Sequence, residues 1–167
     1  MQTALKGKAF KFGDDISTDL IIAGKYAHLR SNLPELAKHV MEDANPDFAK
    51  QVKKGDFIVG GTNFGLGSSR EHAPLVIKMA GISAVLAKSF ARIFFRNAIN
   101  QGLPALICDT DGINDGDQLE VSLEEGTIIN VTKSEKYPFT KLPPVMLSIL
   151  SEDGLIPYIN KHGDFKI

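Results

Sequence analysis

Apolar positions follow two rhythms along this chain. Between residues 57 and 108, short apolar runs (Phe57-Ile58-Val59, Ile82 to Ala87, Pro104 to Cys108) alternate with stretches of helical period. One such stretch runs from about Arg70 to Met79, ended by Gly81. Another runs from Ser89 to Gln101, with Phe90, Ile93, Phe94, Ala98 and Asn97 expected inward and Gly102 as the stop. Strand, helix, strand, helix, strand implies a parallel βαβ core. From Asp111 onward the period drops to two: Leu119, Val121 and Leu123, then Ile128, Ile129 and Val131, are separated by turn residues at Asn114–Asp117 and Glu124–Gly126. Hairpins are expected there, with a last helix opening at Pro143–Ser151 and ending near Gly154.

The first fifty residues are less regular. Residues 4–12 read as a strand stopped by Gly13-Asp14-Asp15. Ile16 to Ile22 contains a strand-like apolar run, residues 23–33 read as a loop, and Pro34 to Asp43 has helical character with Leu36, Ala37, Val40 and Met41 on one face. Lys53–Asp56 is a turn. The expected fold is an α/β domain of three layers, β/β/α, spanning residues 1–167: a mixed sheet with a parallel βαβ core, peripheral hairpins and helices on one side.

Composition narrows the class. With 167 residues, 43% of them hydrophobic, the chain is long enough to bury a substantial core. A formal net charge of −1 argues against nucleic-acid binding, which needs a basic face. Cys108 is the only cysteine, so a disulfide framework is excluded, which suits a cytoplasmic location. No apolar run approaches the roughly 18 residues of a membrane span, and Met1 to Lys11 lacks a signal-peptide core.

The chemistry concentrates in Gly61-Thr62-Asn63-Phe64-Gly65-Leu66-Gly67-Ser68-Ser69-Arg70-Glu71-His72-Ala73-Pro74. Glycines let backbone approach a ligand, a following helix start offers free N–H groups to an anion, and Arg70 can fork onto a carboxylate. Ser68-x-x-Glu71 also fits a capping box, which would make the serine purely structural. That reading leaves Ser69, Arg70 and the Gly65-x-Gly67 pair unused. A phosphate-binding P-loop needs Gly-Lys-Ser/Thr, which is absent, and neither the dinucleotide fingerprint nor the Gly-x-Ser-x-Gly elbow fits the spacing.

Three segments together carry a resemblance. They are Asp14-Asp15-Ile16-Ser17-Thr18-Asp19-Leu20-Ile21-Ile22, Asn63 to Pro74, and Lys88-Ser89-Phe90-Ala91-Arg92-Ile93-Phe94 followed by Asn97-x-x-Asn100-x-Gly102-Leu103. In order and spacing the chain resembles the swivelling domain of the aconitase superfamily, in the short, free-standing form of the 3-isopropylmalate dehydratase small subunits. The resemblance implies a hydro-lyase of leucine biosynthesis that interconverts 2- and 3-isopropylmalate by dehydration and rehydration and acts only with a large subunit. It implies Ser68 as catalytic base, Arg70 and Ser69 as substrate-binding residues, and Asp19 as an active-site aspartate. It assigns the reading of the substrate's variable group to the Ala23–Leu33 loop, with Tyr26, His28, Leu29 and Arg30 as specificity residues and Arg30 as a further substrate arginine. It also implies a [4Fe-4S] cluster on the large subunit and none in this chain, since ligation needs several cysteines.

The chain departs from that pattern in its longer Tyr26 to Arg30 spacing, in Ala23 where a proline is usual, and in Leu66 between the two glycines. A homoaconitate or dimethylmalate-type dehydratase therefore stays open, as does a non-catalytic anion-binding regulatory module. The substrate is expected to be a small di- or tricarboxylate, with no nucleic-acid or membrane partner; self-association of the isolated chain is left open. His72 is expected to support the loop rather than exchange protons, and His39 and His162 to be solvated. Arg92 and Arg96 share a helix face suited to salt bridges or to anchoring the loop or the large subunit. Cys108 is expected to end a buried strand.

Overall fold

The computed structural model describes residues 4–68 and 70–163. Its centre is a seven-stranded sheet in the order β4-β3-β2-β1-β5-β6-β7. The parallel half contains β1 (Ala4–Lys11), β2 (Phe57–Val59), β3 (Ala84–Ala87) and β4 (Ala105–Ile107). The antiparallel half adds β5 (Gln118–Ser122), β6 (Thr127–Asn130) and β7 (Glu135–Pro138). Strand β1 serves both: Ala9–Lys11 pair with β2, while Ala4–Lys8 pair with β5.

Two apolar clusters lie on either side of the parallel strands. Phe10, Ile58, Val85 and Ala105 face the first, with α1 (Thr18–Ile21), α2 (Leu33–Ala37), α3 (Phe48–Gln51) and α4 (His72–Met79). Ala9, Phe57, Val59, Ala84, Leu86 and Leu106 face the second, where Leu119, Val121 and Ile128 of the hairpin strands pack on them. Strand alternation thus sends neighbouring residues to opposite layers, and the α/β fold with β packed on β follows. Helix α5 (Arg92–Asn100) straddles both clusters through Phe94 and Ala98 on one side and Ile99 on the other.

Several expectations are corrected. The apolar run within Ile16–Ile22 is not a strand: Thr18–Ile21 form the short helix α1, because the Ser17 hydroxyl accepts from the Leu20 N–H and caps it. The 23–33 loop contains a 3₁₀ segment, Gly24–Leu29. The helix expected over Pro34–Asp43 ends at Ala37 and continues as turns, with Met41 at φ 57°. Ile93 faces outward at 51% exposure, since α5 begins at Arg92 and its buried stripe runs through Phe94, Ala98 and Ile99. Helix α6 (Pro144–Ser151) is followed by α7 (Leu155–His162), which local pattern did not suggest; both pack on the second cluster, so helices do not keep to one side. No helix among the described residues is long and apolar enough to cross a membrane.

Candidate active site

The glycine-rich loop leaves β2 and is laced to the other two resembling segments by backbone hydrogen bonds. Towards the 14–22 segment, Gly65 N donates to Ile16 O (2.6 Å), Thr18 N to Leu66 O (2.8 Å) and Asp15 N to Thr62 O (2.9 Å). Asp14 accepts from Thr62 N at 2.7 Å and so clasps the loop. Towards the 88–94 segment, Phe64 N donates to Ser89 O (3.0 Å), Ala91 N donates to Phe64 O (2.9 Å), and Asn63 N donates to the Ser89 hydroxyl (2.7 Å). Phe64, fully buried, sits edge-on to Phe90 and Phe94. Gly65 has φ 86° and lies against the Phe94 ring, where a Cβ would overlap it. The loop is therefore a braced platform.

Ser68 and Glu71 do not form a capping box. Helix α4 starts at His72, Glu71 itself occupies the N-cap, and no side chain caps it. The Ser68 hydroxyl, in an exposed residue, instead lies 3.4 Å from the hydroxyl of the buried Thr18. Gly67, at φ 109°, makes room for this approach: a Cβ there would stand 3.2 Å from Thr18 Oγ1.

Arg70 reaches back to the same helix α1. Its Nη1 donates to Asp19 Oδ1 (3.0 Å) and to the Ile22 carbonyl (2.9 Å). The Gly24 N–H donates to the same Asp19 oxygen at 3.0 Å. The Arg70 guanidinium, then the Gly24 N–H, hold the Asp19 carboxyl below the usual aspartate range.

Arg70 borders a cleft of about 510 Å³, also lined by Ile22, Ala27, Leu36, Tyr26, Arg30 and His72. The structure thus brings Tyr26, Arg30 and Arg70 to one cleft, with Asp19 bonded to its rim and Ser68 beside Asp19's neighbour Thr18. His28 is exposed and outside the lining, and Leu29 packs on the first apolar cluster. Ser69 lies outside the described residues. Arg92 and Arg96 are exposed on α5.

Sequence reasoning missed Thr18, although it sits in the Ser-Thr-Asp segment. It also missed His39 and Glu42. His39 is half-buried and stacks on Tyr26, with centroids 3.8 Å apart and planes 14° from parallel. Helical counting through Asp43 hid this contact. The turn that replaces the expected helix brings His39 back over the 3₁₀ segment. His162 is not simply solvated either: it tilts on Tyr158 and approaches Glu152 at 3.5 Å.

Residues 14–110 match the model of the aconitase C-terminal domain. The chain is 66% identical over 161 residues to 3-isopropylmalate dehydratase small subunit 2 of Archaeoglobus fulgidus, covering 96% of this chain and 98% of that one. The chain belongs to the family of 3-isopropylmalate dehydratase small subunits. Another relative in this family is 3-isopropylmalate dehydratase small subunit 1 of Thermotoga maritima, 59% identical over 162 residues (96% and 98% coverage). The isopropylmalate/citramalate isomerase small subunit of Methanocaldococcus jannaschii is 53% identical over 163 residues, 96% of each chain. A crystal structure titled 3-isopropylmalate dehydratase, also from Methanocaldococcus jannaschii, superposes with a TM-score of 0.92 at 47% identity, covering 96% of this chain and 95% of that one.

The family implies an iron–sulfur cluster, and the residues here do not fit one. Ligation takes several thiolates, whereas the sequence holds one cysteine. Burial pushes the Cys108 thiol up to about 12. Among the described residues no group of three or more His, Cys, Asp or Glu is placed to hold a metal ion.

Proposed function

We propose that this chain is the swivelling small subunit of a cytoplasmic, two-subunit hydro-lyase that interconverts 2- and 3-isopropylmalate in leucine biosynthesis. The observation that carries the reading is the cleft itself: two arginines, Arg30 and Arg70, border a wall built from Ile22, Ala27, Leu36 and Tyr26. Such a site suits a small dicarboxylate bearing an alkyl group.

In this reading Ser68 removes a proton from the substrate carbon as the hydroxyl leaves the neighbouring carbon and a double bond forms. Water then adds back with the positions exchanged, and the proton returns to the other carbon. The Thr18 hydroxyl, 3.4 Å away, is placed to donate to Ser68 Oγ in the deprotonated form that acts as the base, and the charge on Oγ is lost as it takes the proton. Arg70 binds a substrate carboxylate, with Asp19 holding the guanidinium in place. Loss of hydroxide calls for a Lewis acid. We place the [4Fe-4S] cluster that would supply it on the large subunit, since this chain lacks the ligands.

The test is the full chain assembled with its large subunit and assayed on 2-isopropylmalate. Ser68→Ala is expected to lower kcat by ~10²- to 10⁴-fold, the usual contribution of general acid–base catalysis, while the complex still assembles. Normal turnover by that variant overturns the base assignment. A wild-type complex that binds alkylmalates without converting them points instead to an anion-binding regulatory role. The citramalate activity named for one relative makes a methyl-bearing malate the second substrate to assay.

A further inference from the structure

Tyr26 forms part of the cleft wall, yet it lies on a 3₁₀ segment in which no residue is fully buried. Two side chains from the turn after α2 hold it. The His39 ring stacks on the phenol ring at 3.8 Å, and His39 Nδ1 lies 2.9 Å from Glu42 Oε2. The Glu42 carboxylate also acts on the phenol, raising the Tyr26 pKa while its own falls. Lys25 Nζ stands 5.2 Å from the same ring.

The turn that carries the pair is firmly seated. Between His39 and Glu42, Val40 and Met41 are fully buried, and Met41 N donates to Ile21 O at 2.8 Å. That carbonyl belongs to α1, the helix that carries Asp19 and precedes the Ile22 carbonyl held by Arg70. The aromatic wall and the arginine rim are thus referenced to one short helix.

We propose that His39 and Glu42 are positioning residues that clamp Tyr26, setting the width of the cleft where the substrate's alkyl group lies and thereby selecting for alkyl size. This rests on the functional reading above and deepens it. The contacts are directional: the stack fixes the plane of the phenol, and the Glu42 carboxylate, 2.9 Å from Nδ1, fixes the imidazole on which the phenol stacks. Without both, the phenol regains the rotamer freedom of a half-exposed side chain, and a wall that should meet the alkyl group no longer has a fixed position.

The test uses the assembled complex and a series of malates bearing methyl, ethyl and isopropyl groups. His39→Ala and Glu42→Ala are expected to raise KM for the isopropyl substrate ~5- to 10-fold with kcat within about twofold, and to flatten the preference for isopropyl over methyl by a similar factor. Glu42→Gln keeps an acceptor for His39 Nδ1 and is expected to restore both within about twofold. A merely structural role would lower thermal stability or the yield of complex and leave KM and alkyl preference unmoved, which overturns the proposal.

A second readout is independent of activity. In NMR spectra of the full chain the His39 ring protons are expected to be shifted upfield by the Tyr26 ring, and the shift to vanish in Tyr26→Leu. If the wild-type complex converts no alkylmalate, the functional reading fails while this shift still reports the clamp. If the shift is absent in the wild-type chain, the clamp fails whatever the activity.

Discussion

Arg70 and Asp19, 51 residues apart in sequence, meet through a 3.0 Å hydrogen bond between Nη1 and Oδ1. The pair ties the start of α4 to α1, and the same guanidinium nitrogen holds the Ile22 carbonyl. Because Arg70 also borders the cleft, the contact that steadies the loop aims a cation at the site.

The pair gives an acid-side signature. The folded Asp19 carboxyl titrates below its unfolded value of about 3.9. Its stabilising contribution is therefore present above that pH and is lost as pH falls through the lower folded value. Asp19→Asn is expected to be slightly less stable than wild type at pH 7, with the difference closing on acidification below about pH 4. Urea midpoints measured between pH 7 and pH 3 check this. The pair is well exposed, so the difference should stay small.

Arg70→Lys keeps the charge and loses the planar fork. It is expected to raise KM by roughly tenfold or more in the assembled enzyme, from the loss of bidentate carboxylate binding. Thermal stability should change little by comparison. Steady-state kinetics with a melting curve separates the two effects.

Gly65→Ala tests the platform. A Cβ there overlaps the Phe94 ring, and φ is 86°. A loss on the order of 2–4 kcal/mol is expected, from overpacking together with an unfavourable backbone region. Chemical denaturation measures it, and loss of the fold altogether would point the same way.

Cys108 is 8% exposed, and burial raises its thiol to about 12. In the native chain it should react with a disulfide reagent far more slowly than a free thiol. The full rate should return in denaturant, where the ordinary value near 8.5 applies. Rapid modification of the native chain would contradict the burial of this strand end.

How much of this was legible along the chain varied by region. Strands β1 to β4, with α4 and α5 between the last three of them, followed from apolar runs punctuated by Gly55, Gly81 and Gly102. The hairpin of β5 and β6 followed from alternation around turn residues. In the 14–45 segment the period misled. Ser17 converts an apolar run into a helix by capping it, and Met41, at φ 57°, takes a backbone state that periodicity does not reveal. The Ser68–Glu71 box was a valid local option that lost to Thr18, a partner 50 residues away.

By itself the sequence determined the alternation of strands and helices, the glycine-rich loop with its arginine, and the absence of cysteines for a cluster. Those are properties of local period and residue chemistry, readable one segment at a time. Only the tertiary structure decided that Asp19 faces Arg70, that Thr18 faces Ser68, and that His39 covers Tyr26. Each of those contacts arises where burying α1 and the turn after α2 against the sheet outweighs local preference, and long-range packing of that kind leaves no periodic trace in the chain.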